Sequence, residues 1–398
     1  MNTPLRFAVI GAHRGRSFIQ GAQSLADEVK LVAVCDIAPE ALAPWKDDSE
    51  IARFDNYEQV LNDPNIDAVC IATPVPLHAR QAIQALQAGK HVLSEVTAAY
   101  TIDECWDLIE AVEKSGLTYM MAENYCYTRE NMMLENMVKQ GVFGEITFAA
   151  GAYLHDCRKL LWDENGDLTW RGNVRRTYYG NTYPTHSLGP VSRWLGINKT
   201  DRYISTSTWG TPCRAIPNYA AHNFPERKEF HNQNFWGCND NAVTLLKTAK
   251  GAVAEARVDW ASPRPHNMTR YELQGTKAAF TGQERGNKSL IWIEGRSEMS
   301  PTGIAGAWEP LEKYFEEFEH PLWKQHMENA QKAGHGGGDY FIMREFAEAV
   351  RENRPPFVDV YDAVTWSSIT PLSMKSIDEN NSAVEVPDFK ACRKSVSY

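Results

Sequence analysis

Leu5-Arg6-Phe7-Ala8-Val9-Ile10-Gly11-Ala12-His13-Arg14-Gly15-Arg16 runs from a strand-length apolar segment through a glycine turn into the start of a helix. Strand, glycine turn and helix in that order open a dinucleotide-binding βαβ unit. Only two glycines of the G-x-G-x-x-G pattern are present, Gly11 and Gly15, one residue closer together than usual, so the pattern alone is a weak sign. The next strand strengthens it. Val29–Cys35 leads to Asp36, 21 residues past Gly15, where a carboxylate can accept from ribose hydroxyls and would repel a 2′-phosphate. No arginine follows for that phosphate, only Ile37 and Ala38. NAD is therefore expected rather than NADP, with Gly11, His13, Arg14, Gly15 and Asp36 as candidate cofactor residues. A glycine turn in a nucleotide-free sheet is the alternative.

Outward from this turn the alternation continues. Strand-length runs lie at Ala68–Ile71, His91–Ser94 and Thr118–Ala122, with helix-like segments at Leu77–Ala88 and Ile102–Ser115 between them. Ile102, Cys105, Trp106, Ile109 and Val112 form a helical stripe suited to one face of a sheet. Thr101 with Glu104 is a capping box that starts the helix. Such alternation implies right-handed crossovers and a parallel sheet, so residues 1–122 read as a doubly wound Rossmann domain of the α/β class. Thr73-Pro74-Val75-Pro76-Leu77-His78 and Ser94-Glu95-Val96-Thr97 fall at strand carboxyl ends, where ligands bind such sheets.

Composition narrows the partners. The chain has 398 residues, enough for about two domains, and its net charge of -10 argues against nucleic acid or an anionic membrane as the main partner. Eight cysteines without a Cys-x-x-Cys pair suggest free, buried thiols in a reducing compartment. With no signal peptide and no long apolar run, a cytoplasmic location is expected.

Residues 123–398 read as a substrate-binding α+β domain with a mostly antiparallel sheet, an exposed face of which would suit a homo-oligomer. A helix is expected from about Arg129 to Gln140. Strands are expected at Ile146–Tyr153, Tyr203–Thr208, Ala242–Thr248, Val253–Trp260, Tyr271–Gln274 and Leu290–Ile293. Residues 156–182 and 210–238 lack periodicity and read as long loops of functional composition. Final helices near Tyr340–Arg351 and Tyr361–Ile377 read as packing elements, and the loop His335-Gly336-Gly337-Gly338-Asp339 before them reads as a helix lead-in, with the border of a pocket as the alternative.

Within this half, Asn181-Thr182-Tyr183-Pro184-Thr185-His186-Ser187-Leu188-Gly189-Pro190 sets a tyrosine and a histidine three residues apart around a proline. Histidine moves protons near neutral pH, so Tyr183 and His186 are catalytic candidates; a buried histidine at a helix start is the other reading. Arg171, Arg175 and Arg176 either form a solvated charge run or grip an anionic sugar. Trp162, Trp170 and Tyr153 fit packing as well as a site. No metal motif is present; His222 and His231 stand nine apart without further ligand spacing.

The turn, Thr73-Pro74 with His78, and Ala88-Gly89-Lys90-His91-Val92 leading to Glu95 resemble the glucose–fructose oxidoreductase/inositol dehydrogenase/MocA family. Its dehydrogenases mostly carry a Glu-Lys-Pro motif whose lysine assists proton transfer, whereas this chain has Glu95-Val96-Thr97. Glu123 to Tyr127, Gly151 to Asp156, Trp170-Arg171, Asn181 to Pro190, Pro263-Arg264-Pro265, His335-Gly336-Gly337, Asp339-Tyr340 and Asp359 to Ala363 are similar to the NAD-dependent glycosidases of glycoside hydrolase family 109. The resemblance covers most of the chain. By position it implies that Asp36, Thr73, Pro74, His78, Glu95, Val96, Asn124 and Tyr183 contact NAD. It implies that Tyr153, Arg171, Tyr183, Thr185 and His186 contact a small-molecule glycoside. At His266 the family usually has a tyrosine, which bears on whether the sugar carries an acetamido group.

The mechanism so implied oxidises C3 of the glycoside, removes the C2 proton, eliminates the aglycone, adds water and reduces C3 again, with no net redox change. His186 would face C3 and accept the hydroxyl proton. Tyr183 would take the C2 proton or order the nicotinamide. An ordinary NAD-dependent sugar or inositol dehydrogenase and a non-catalytic NAD- or sugar-binding sensor are the other functions to weigh.

Overall fold

Residues 3–265, 268–283, 288–299, 302 and 306–391 are described by a computed structural model. The strands expected around the glycine turn form one parallel sheet, joined at its edge by a short strand over Ala52–Phe54 that was not expected. β1 (Leu5–Ile10), β2 (Val29–Cys35), β3 (Ala52–Phe54), β4 (Ala68–Ile71), β5 (His91–Ser94) and β6 (Tyr119–Met121) are ordered β3-β2-β1-β4-β5-β6, and each neighbouring pair is parallel. The intervening helices are α1 (Arg16–Ser24), α2 (Pro39–Leu42), α3 (Tyr57–Asn62), α4 (His78–Gln87) and α5 (Ile102–Ser115). The strand order changes direction between β1 and β4, all strands staying parallel, which places the β1–α1 turn at the switch point where such sheets bind ligands. The predicted capping box on α5 is present, with Thr101 and Glu104 each bonded to the other's backbone.

The second sheet is mixed. β7 (Ile146–Leu154), β8 (Tyr203–Gly210), β9 (Asn241–Thr248), β10 (Val253–Asp259), β11 (Met268–Gly275), β12 (Ala278–Thr281), β13 (Leu290–Ile293), β14 (Glu309–Pro310) and β15 (Val384–Glu385) are ordered β14-β13-β12-β11-β7-β10-β9-β8-β15. Among the described residues, only β7 and β10 pair in parallel in this sheet. Strand β12 was not among the expected strands. It is a short partner closed onto β11 at Thr276-Lys277, too brief for alternation to mark it. Helices α6 (Arg129–Lys139), α7 (Trp170–Thr177), α8 (Thr185–Leu195), α9 (Ala215–Asn223) and α10 (Phe315–Phe318) accompany this sheet. Residues 156–182 and 210–238 differ from expectation: short helices there pack Trp162, Ile216, Phe230, Trp236 and their neighbours into one buried cluster. Trp162 stacks on Tyr219 at 5.4 Å and meets Trp236 edge-on, so it is core.

The chain divides into two units, Met1–Arg129 with Pro321–Ser368 and Phe389–Tyr398, and Glu130–His320 with Ile369–Asp388. One boundary near residue 122 was expected; by contact, α11 (Pro321–Ala330), α12 (Gly338–Glu352) and α13 (Val360–Ser367) group with the parallel sheet. Phe346 of α12 and Phe7 of β1 are fully buried with ring centroids 6.2 Å apart, and Ala98 N–H donates to Ser367 Oγ at 3.0 Å. The one helix expected over 361–377 is two, because Pro371 cannot donate to residue 367; α14 (Ile369–Asp378) belongs to the second unit. The described cysteines are free and buried, while Cys392 lies outside the described residues. No helix among the described residues is long and apolar enough to cross a membrane.

Candidate active site

The first unit builds a dinucleotide cradle. Gly11 has φ +85°, and a Cβ there would meet the Ala72 carbonyl oxygen at 2.5 Å, so this position requires glycine. A Cβ on Gly15 would run into Val9, which keeps α1 close against β1. Asp36 closes the turn: its carboxylate accepts from His13 N–H at 3.1 Å and from Ala38 N–H at 3.0 Å. Two of its acceptor positions are used, leaving others for ribose hydroxyls. Arg14 from the turn is ion-paired with Glu95 at the end of β5. Asn124 donates to Asp339 at 3.4 Å, and its Oδ1 is a buried acceptor with no protein partner. A carboxylate at the ribose position, a glycine turn at a helix N-terminus and an unclaimed amide oxygen fit NAD.

His78 is held by the protein on both sides of its ring. Its ring is fully buried, and its nitrogens lie 2.9 Å from the Thr97 carbonyl and 2.8 Å from the Thr73 carbonyl. The side chain ties together the Thr73-Pro74 and Val96-Thr97 loops. The Val96–Thr97 peptide bond is cis.

The second unit gathers the tyrosines and the histidine. Gly151 on β7 has no side chain because the Ser187 carbonyl of α8 occupies that space. This close approach sets the first turn of α8 beside the end of β7. Tyr153, two residues along the same face, consequently meets both Tyr183 and His186. The ring centroids are 5.1 Å apart for Tyr153 and Tyr183, 5.2 Å for Tyr153 and His186, and 5.0 Å for Tyr183 and His186. Tyr271 donates its hydroxyl to the His186 carbonyl at 2.6 Å and fixes the turn. Thr185 is fully buried next to them. Burial pushes the Cys157 thiol up to about 12, against the pull of Arg175, Arg171 and the Tyr153 hydroxyl, so Arg171 stands within electrostatic reach of this cluster.

Neighbouring arginines have structural work. Arg175 is buried, lies 3.7 Å over the Trp260 ring and donates to Thr182 Oγ1 at 2.5 Å. It holds the segment before Tyr183 and is not part of a solvated run. Arg264 reaches Asp259 at 3.4 Å and anchors the Pro263-Arg264-Pro265 segment. His266 lies outside the described residues. One residue was missed from the sequence: His155, whose ring meets Tyr153 edge-on at 5.8 Å. It follows Tyr153 by two, so strand periodicity already put both on one side.

Comparison with known proteins agrees with both halves. Residues 5–123 match the oxidoreductase family's NAD-binding Rossmann fold, and residues 127–395 match the glycosyl hydrolase 109 C-terminal domain. A glycosyl hydrolase family 109 protein of Solibacter usitatus is 34% identical over 98% of this chain and 89% of its own. An alpha-N-acetylgalactosaminidase of Shewanella oneidensis is 33% identical over 97% of this chain and 85% of its own. Among solved structures, levoglucosan dehydrogenase in complex with NADH and L-sorbose has a TM-score of 0.76 at 20% identity, covering 97% of this chain and 100% of that one, a likeness of fold. The class so defined is an enzyme with NAD as the cofactor of an oxidoreductase-type Rossmann domain. The chain belongs to glycosyl hydrolase family 109.

Proposed function

We propose that the protein hydrolyses a small-molecule glycoside through transient oxidation at C3. The observation that carries the reading is the packing of Tyr153, Tyr183 and His186 around one point, each ring about one van der Waals layer from the other two. Bound NAD supplies a reversible two-electron acceptor for C3, and the C3 ketone acidifies the hydrogen at C2. His186 accepts the proton of the C3 hydroxyl and returns it when C3 is reduced. Tyr183 takes the proton from C2 or orients the sugar for its removal. Arg171 and Thr185 hold the sugar hydroxyls. Gly11, His13, Arg14, Gly15, Asp36, the Thr73-Pro74 loop, Glu95, Val96 and Asn124 bind the cofactor. The Shewanella relative's name makes an α-N-acetylgalactosaminide the first substrate to try, and His266 makes neutral and anionic glycosides the next.

The experiment is hydrolysis of nitrophenyl glycosides in D₂O with catalytic NAD⁺. Deuterium at C2 of the released sugar, many turnovers per NAD⁺ and no accumulating NADH are expected. Stoichiometric NADH with the glycosidic bond intact would make the protein a sugar dehydrogenase instead. Trp209, Leu245 and Val253 are exposed on one face of the second sheet by its register. They support a homo-oligomer in solution, which light scattering would reveal.

A further inference from the structure

The loop leading into α12 stands among the cofactor residues, although its sequence reads as a helix lead-in. His335 Nδ1 donates to the Asp339 carboxylate at 2.9 and 3.0 Å, and the same carboxylate accepts from Asn124. The Tyr125 ring meets the imidazole edge-on at 6.3 Å. Gly338 lies so near the Asn124 carbonyl that no side chain fits there. The charged groups within electrostatic reach of the imidazole are its partner Asp339 on α12, Arg14 in the turn after β1 and Glu95 after β5. The hydrogen bond to Asp339 raises the His335 pKa above the ordinary histidine value; burial opposes it, the charges of Asp339 and Glu95 add to it, and Arg14 works against it.

Arg14 and Glu95 are unequal partners. The side chain of Glu95 is 11% exposed and that of Arg14 is 46% exposed. Arg14 belongs to the turn at the N-terminus of α1, where a dinucleotide's diphosphate lies. A guanidinium forks onto phosphate oxygens as readily as onto a carboxylate. A diphosphate in the turn therefore draws charge from the Arg14–Glu95 pair, and a carboxylate as buried as Glu95 is strongly unfavourable without a cation. We propose that His335, oriented by Asp339, is a positioning residue of the cofactor site that balances Glu95 as an imidazolium when Arg14 engages the diphosphate. No covalent bond changes; the proton on His335 is all that is required. The inference rests on NAD binding to the first unit and not on the glycosidase reading.

The sign of the pH effect follows. A raised histidine value means that the cation is present below it and lost as pH rises through it. NAD affinity is therefore full at the low-pH end and falls as pH rises through the raised histidine value. The test is calorimetric titration of the full chain with NAD over roughly pH 6 to 9. Wild type should weaken roughly tenfold across that range. His335→Asn, which tolerates the φ of 50° at this position, should bind weakly throughout with a flat profile. His335→Lys should bind tightly with no inflection, and Asp339→Asn should move the inflection toward lower pH. A His335→Asn protein with wild-type affinity and wild-type pH profile would overturn the proposal. A wild type that bound no NAD would overturn the cofactor assignment and this inference together.

Discussion

His186 leaves the first turn of α8 with its carbonyl held by Tyr271 and its ring flanked by two tyrosines. Asparagine in its place keeps the helix start and a polar side chain but cannot exchange a proton. His186→Asn should lower kcat roughly 10²-fold or more while NAD affinity stays near wild type; turnover within a few-fold of wild type would move the proton-handling role elsewhere. Tyr183 and His186 were legible because they are neighbours in sequence around a proline. The glycine turn and Asp36 were legible for the same reason, strand, turn and carboxylate being local features. His78 was not, because what decides its role is burial between two carbonyls, one of them 19 residues away. His335 was hidden more deeply: Asp339, its partner, bonds Asn124 across 215 positions.

At the scale of elements, α6 and α8 are joined by a buried ion pair. Arg193 donates to Glu135 at 2.8 Å, with side chains 5% and 4% exposed, and Lys139 adds a second cation at 2.7 Å. Burial alone would push the Glu135 carboxyl up; Arg193 and Lys139 overcome this and hold it below the ordinary range. Its contribution is thus present above the unfolded carboxylate value, about 4.3, and is lost as pH falls through the folded one. Arg193→Met should cost about 3 kcal/mol at neutral pH and begin acid unfolding at higher pH. Arg193→Met with Glu135→Leu should recover most of that loss, since no buried charge remains. Denaturation curves at several pH values check both; a single variant as stable as the double one would contradict the account. Regular elements such as α5 announced themselves by stripe and cap. The segments 156–182 and 210–238 did not, because Trp162, Ile216, Phe230 and Trp236 fill a common core from different turns and share no period.

Over the whole molecule, the parallel sheet is finished by residues that follow β7 to β14 of the second sheet in the chain. Met121 N–H donates to the Val358 carbonyl at 3.3 Å, and Cys105 Sγ lies 3.8 Å from the Val364 carbonyl, contacts that no local pattern could disclose. A chain ended at His320 lacks α11, α12 and α13, so Phe7 loses Phe346 and the sheet keeps an apolar face open to water. Such a fragment should aggregate and fail to bind NAD in calorimetry; a soluble fragment with full-length affinity would show that those helices are dispensable. The same discontinuity governs the protein's birth. A ribosome releases residues in order, so the nucleotide-binding half must wait, incomplete and sticky, while some two hundred residues of another unit emerge. The second unit, nearly all of it already outside the exit tunnel by then, is free to fold first, although the first was translated before it.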